Sequence, residues 1–152
     1  MAKQLNEQTC TQISEKLASF LANTFVLYVK TLNFHWNMQG PQFHMYHLLL
    51  QDQYENMAGA NDDLAERIRM LGHPAPGTMA HLLQLSSLKE SSKPLKMEQM
   101  VKELTQDHEE MVEQCHTLIA FVDEVCDQGT SDLMAERIRF HSKQAWLLRS
   151  HH

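Results

Sequence analysis

Glycine and proline are scarce, at 5 and 4 residues in a chain of 152. So little punctuation argues against many short strands joined by tight turns and leaves long helices as the natural element. Cysteine is scarcer still: Cys10, Cys115 and Cys126 form no CxxC pair, and one of the 3 is necessarily odd. A disulfide framework is therefore not expected. Long apolar runs are missing too. The longest, residues 17–29, is broken by Ser19, Asn23 and Thr24 and is too short and too polar to cross a bilayer. The opening residues, MAKQLNEQ, carry no apolar segment behind a basic start. The expectation is a soluble cytoplasmic protein with no membrane partner. Basic charge is also in deficit, 13 Lys and Arg against 19 Asp and Glu, for a net −6 with histidine neutral.

What is present is a packable chain. Hydrophobic residues make up 43% and charged residues 21%, which excludes general disorder. The length suits one domain over residues 1–152. The chain also holds 10 histidines, so where they fall matters more than their number.

Apolar periodicity predicts four long helices. The first covers residues 7–37, with a stripe through Ile13, Leu17, Phe20, Leu21, Thr24, Leu27, Tyr28 and Thr31. Gly40 as a cap and Pro41 at the first helical position predict a restart, and the second helix runs over residues 41–71 to Gly72 and Pro74. Residues 72–95 form a long connection, with a short helix within residues 79–88. A connection of this length suits a crossing from one end of a bundle to the other. The third helix, residues 96–126, carries a seam at Met97, Val101, Leu104, His108, Met111, Cys115, Leu118, Val122 and Val125. Asp127-Gln128-Gly129 breaks it, Thr130 or Ser131 caps the next start, and the fourth helix covers residues 132–149. The fold class is all-α: a four-helix bundle with a short helix in the long crossover between helices two and three.

His35 and His47 flank the turn at Gly40, so a hairpin sets their imidazoles at similar heights. His35 lies about five turns beyond Leu17 and so shares its buried side. Taken alone, it reads as a core or interface histidine held by a hydrogen bond. Asp62 and Glu66 share a face of helix two at i, i+4, where a solvated surface beside Asp63 and Arg67 is the plain reading. Asp62 lies about 22 Å along the helix from His47, so within one chain these donors cannot share a metal. Two chains packed antiparallel about a two-fold axis bring them together, which the spacing permits without requiring. A di-iron centre inside one bundle is disfavoured, because Glu113-Gln114-Cys115-His116 is a lone ExxH.

The run His35-Trp36-Asn37-Met38-Gln39-Gly40, then Phe43 and His47, then Asp62-Asp63-Leu64-Ala65-Glu66-Arg67-Ile68, resembles the Dps proteins, the mini-ferritins of starved bacteria. The ending from His141 through Trp146 to Ser150 resembles their last helix, so the resemblance covers nearly the whole chain. It implies a ferritin-like bundle that assembles into a hollow homo-dodecamer, in a bacterial cytoplasm. It also implies a ferroxidase centre between two-fold mates, with His35 and His47 from one chain and Asp62 and Glu66 from the other. Ferrous iron would bind there, be oxidised by hydrogen peroxide (or oxygen) and be stored as ferric mineral. Imidazole and carboxylate suit iron(II), and zinc is a competing ion. Trp36 resembles a tryptophan associated with quenching radicals, and interface packing is its other reading.

Family members usually carry an acid four residues after the second histidine, where this chain has Gln51. That leaves about −2 from Asp62 and Glu66 to face +4 from two ferrous ions, so weaker binding of the second iron is expected. The resemblance also points to acids lining three-fold pores, with Asp123, Asp127 and Asp132 as candidates, although each also reads as solvated or helix-capping charge. His108 and His141 are expected in the core and His44 at the surface, while His73, His81 and His116 have no convergent partner. DNA binding is not expected near neutral pH: the N-terminal tail holds only Lys3, and a dodecamer carries about −72. The alternative function is a DNA-coating stress protein with weakened or lost ferroxidase activity. A third reading is a bundle whose His and acid residues only hold subunits together.

Overall fold

A computed structural model describes residues 4–151. Its elements are α1 (Glu7–Asn37), α2 (Phe43–Met70), α3 (Met79–Leu85), α4 (Met97–Glu124) and α5 (Gln128–Arg149), with no strand among the described residues. The long helices pair as the hairpins α1–α2 and α4–α5, and α1 also packs on α4 and on the short α3. The expected four-helix bundle and crossover helix are thus observed, with α3 ending earlier than its apolar pattern suggested.

Asn6 caps α1 by accepting from the Thr9 amide at 2.8 Å. Ile13, Leu17, Phe20, Leu21, Thr24, Leu27 and Thr31 of the stripe are buried, and Tyr28 is half-buried. The restart of the chain differs from expectation. Gly40 has φ +143°, so it forms the turn itself rather than capping a helix, and α2 begins at Phe43 with Gln42 as N-cap. A Cβ at Gly40 would also come within 3.1 Å of Met97 Cε. At the other end of α2, Gly72 takes φ +92° and the His73 amide reaches back to the Ile68 carbonyl at 3.3 Å, the stop expected there.

The α4–α5 junction is the larger correction. α5 starts at Gln128 rather than Asp132, and its N-cap is Asp127, which accepts from the Thr130 amide at 3.2 Å. Arg67 of α2 drives this arrangement. Its Nη2 donates to Asp127 Oδ1 at 2.6 Å, and its guanidinium lies so close to Gly129 that a Cβ there would meet Nη2 at 3.0 Å. Gly129 therefore serves a close approach inside a helix, and the break falls to Cys126, at φ +63°.

Asn23, one of the polar residues in the apolar stretch of α1, docks the crossover. Its Oδ1 accepts from Ser86 Oγ at 2.8 Å and from the Ser87 and Leu88 amides at 2.8 and 3.2 Å. Its Nδ2 donates to Gln114 Oε1 at 2.7 Å. Asn23→Ala strands those amides, and a loss of about 2–3 kcal/mol is expected in urea unfolding, with faster hydrogen exchange confined to the crossover. An unchanged unfolding midpoint would contradict this anchoring role.

A polar layer crosses the otherwise apolar core. His108 and His141 are each 0% exposed, with their Nδ1 atoms 2.8 Å apart. His108 Nε2 meets Gln53 Oε1 at 3.4 Å, and Gln53 Nε2 donates to Gln144 Oε1 at 3.1 Å. Arg137, 1% exposed, donates to Asn56 Oδ1 at 2.8 Å. Arg137 Nε and Nη2 and His141 Nε2 have no protein partner among the described residues. Burial, reinforced by the Arg137 charge, pushes the His108 pKa down to about 3. Burial also holds His141 well below its usual value, and the charges of His108 and Arg137 add to the effect.

Candidate metal centre

The α1–α2 hairpin brings His35 and His47 face to face, with rings stacked 3.7 Å apart at 9°. His35 is buried near the end of α1, and His47 is half-buried in the second turn of α2. The two residues bond reciprocally: His35 Nδ1 lies 2.8 Å from the His47 carbonyl oxygen, and His47 Nδ1 lies 2.8 Å from the His35 carbonyl oxygen. A carbonyl oxygen only accepts, so each Nδ1 must carry the proton. Each Nε2 then keeps its lone pair, the tautomer a metal-ligating histidine needs. The plain reading of a hydrogen-bonded histidine is correct for one nitrogen of each ring, and it leaves the other nitrogen free.

Aromatic neighbours hold these rings. Tyr54 sits edge-on to His35 at 5.1 Å, and Phe43 lies against His47 at 4.8 Å. Tyr54 was not among the expected site residues, although its position two turns after His47 on one helix face was a usable signal. Around the pair, Trp36 is 66% exposed, and Phe43, Met45 and Leu48 also show apolar surface to solvent.

Asp62 and Glu66 are exposed near the far end of α2. The Asp62 charge, followed by hydrogen bonding to Asp62, raises the Glu66 carboxyl above the usual range. Two mutually repelling carboxylates of this kind are relieved by a cation. The two histidines are brought together, and so are the two acids, but the pairs remain at opposite parts of α2. Among the described residues, no group of three or more His, Cys, Asp or Glu is placed to hold a metal within one chain. One chain thus carries a histidine pair and an acid pair that stand apart.

The other expected residues divide. Asp127 is 4% exposed, tied to Arg67 and serving as the α5 cap, so it is not available to line a pore; its charge is consumed by the helix junction. Asp123 and Asp132 are exposed, and Asp132 accepts from Gln128 Nε2 at 3.2 Å. His44 is exposed as expected. His73 Nε2 meets Thr11 Oγ1 at 3.3 Å, and His81 and His116 are exposed. Cys115 is buried, which pushes its thiol up to about 12, whereas Cys126 is exposed. No helix among the described residues is long and apolar enough to cross a membrane.

Comparison with known proteins places this geometry in context. The sequence model of the ferritin-like domain matches residues 14–152. The chain is 33% identical over 139 residues to DNA protection during starvation protein 2 of Bacillus anthracis, covering 91% of this chain and 95% of that protein. It is 39% identical over 132 residues to an uncharacterized low temperature-induced protein of Nostoc, covering 86% of this chain and 74% of that one. Among solved structures it is similar to the Dps protein of Vibrio cholerae O1, described as a member of a broad superfamily of ferritin-like diiron-carboxylate proteins. The TM-score is 0.92 at 27% identity, covering 99% of this chain and 96% of that chain.

Proposed function

Because the chain belongs to the Dps family of ferritin-like proteins, we propose that it is a ferroxidase and iron store built as a homo-oligomeric shell, a dodecamer. The carrying observation is the reciprocal His35–His47 pair, in which both Nε2 lone pairs are left free while both Nδ1 atoms are occupied. Two such nitrogens from one chain, with Asp62 and Glu66 from its two-fold mate, make a mixed nitrogen–oxygen site suited to ferrous iron, for which zinc would compete. The exposed Trp36, Phe43, Met45 and Leu48 beside the histidines supply apolar surface for that mate to cover.

In this reading ferrous iron is the substrate and hydrogen peroxide the oxidant. Two ferrous ions each give one electron to one peroxide, and with two waters this yields two FeOOH units and four protons. Both oxygens of the peroxide end as oxide or hydroxide, so no hydroxyl radical is released. The free Nε2 atoms bind and orient the ion, while the carboxylates offset its charge. Trp36, adjacent to His35 in the chain, supplies an oxidisable ring that would quench a stray oxidising equivalent. The DNA protection named for the Bacillus anthracis relative would follow here from removing iron and peroxide. Coating of DNA is opposed by the net charge of −6 per chain. The setting is a bacterial cytoplasm.

The test adds ferrous iron anaerobically to the apo-shell, then peroxide, and follows ferric absorbance in wild type and in His35→Ala/Asp62→Ala. Fast oxidation in the wild type and a loss of at least about a hundredfold in the variant are expected, with assembly intact by ultracentrifugation. Equal slow rates in two assembled shells would leave the constellation a purely structural one, and the proposal would fall.

A further inference from the structure

One turn beyond His47, Gln51 stands half-buried on the same face of α2, and one turn further stands the exposed Glu55. Gln51 Nε2 donates to Glu55 Oε1 at 2.9 Å. A carboxylate only accepts, so this bond decides which way round the amide lies: the NH₂ group faces Glu55 and Oε1 is turned away from it. Gln51 Oε1 accepts no hydrogen bond among the described residues, and Glu55 forms no ion pair among them. A neutral oxygen is thereby left free on a residue one turn from His47, and one turn further stands a carboxylate with no ion-pair partner among the described residues.

We propose that Gln51 and Glu55 work as a couple in binding the second cation of the interface site. Gln51 Oε1 is the ligand, and Glu55 is the positioning residue that holds the amide and supplies the missing charge. The proposal rests on the ferroxidase reading above and deepens it. Amide carbonyl oxygens are ordinary ligands for hard divalent cations, although weaker than carboxylates. With Glu55 included, about −3 rather than −2 faces two ferrous ions, so the second ion is retained with reduced affinity. The replacement of acid by amide at position 51 then moves the charge one turn along the helix instead of deleting it.

The test is anaerobic calorimetric titration of the assembled apo-shell with ferrous iron, which resolves a tight and a weaker class of ion. Glu55→Ala is expected to weaken the second class about tenfold and leave the first unchanged, the usual scale for losing a partner that orients a ligand. Glu55→Asp should recover part of that loss. Gln51→Glu should tighten the second class, and in that background Glu55→Ala should weaken it by much less than tenfold, because only the more distant charge, and no amide orientation, is then lost. A merely structural Glu55 would not show this dependence on residue 51. A second class indifferent to Glu55→Ala in both backgrounds overturns the couple while the interface site stands. Failure of the wild type to bind even the first ion overturns the ferroxidase reading itself, and the couple with it.

Discussion

Two inactive variants, co-expressed in equal amounts, are expected to recover about a quarter of the wild-type sites when they assemble into mixed shells. One variant carries His35→Ala/His47→Ala and the other Asp62→Ala/Glu66→Ala. If each site takes its histidines from one chain and its acids from the two-fold mate, shells of either variant alone contain no intact site. At random mixing about half of the two-fold interfaces are heterologous in composition. In each of these, one of the two sites pairs intact histidines with intact acids, and the other lacks both. Peroxide-driven iron oxidation should therefore rise from near zero in either parent to about a quarter of wild type in the mixture. The geometry behind this is plain: the histidine and acid pairs are separated by about 22 Å along one rigid helix, and no single chain can close that distance. Mixed shells as inactive as their parents would place the halves in one chain, or remove the site altogether.

Acid should unfold this protein through its core before the rest of its chemistry demands it. His108 is held near a pKa of about 3 and His141 also well below its usual value, so both stay neutral in the native state. In the unfolded chain each takes a proton near the ordinary histidine value of about 6.5. Above that value the contribution to stability is complete. As pH falls through it, the unfolded state gains protons that the folded state refuses, and stability declines until the folded values are reached. The slope approaches about 1.4 kcal/mol per pH unit for each histidine once the pH is a unit below that value, so His108 alone removes about 2 kcal/mol between pH 6.5 and 4.5. Little around the pair would relieve a proton. Gln53 of α2, Gln144 of α5 and Phe20 of α1 are neutral, while Arg137 of α5 is a buried cation.

Urea midpoints at pH 7.5 and 4.5, at one protein concentration, should fall steeply in the wild type. His108→Met/His141→Leu should flatten that dependence whatever it does to stability at neutral pH. The comparison cancels groups such as Asp107, whose carboxyl is raised by burial against the opposing pull of Lys30 and so works in the other sense. Equal slopes in both proteins would show that the histidine pair does not set acid stability.

Much of this architecture was legible along the chain, because helix periodicity is a local property. The stripe through Leu17 and Leu27, the stop at Gly72 and the seam through His108 and Val122 each lie within one element, and each is observed. The errors lie where a residue of another helix intervenes. Gly129 reads as a break, and Asp127 as a free acid, until Arg67 of α2 is seen lying over both. Gly40 reads as a cap until its φ of +143° shows that it makes the turn itself.

The candidate site divides in the same way. Spacing and family resemblance select His35, His47, Asp62 and Glu66, and the sequence by itself determines that one straight helix keeps His47 from meeting Asp62 and Glu66 in a single chain. Which nitrogen of each histidine is free was decided only by tertiary structure, because the answer depends on a carbonyl of the opposite helix and on the register of the hairpin that delivers it. The spacing of Tyr54 from His47 is written in the sequence, but its edge-on contact with His35 of α1 was decided by the hairpin packing. Residue types and their periods are written along one chain, whereas protonation states and exposed lone pairs belong to contacts between segments, and such contacts exist only once the helices have packed.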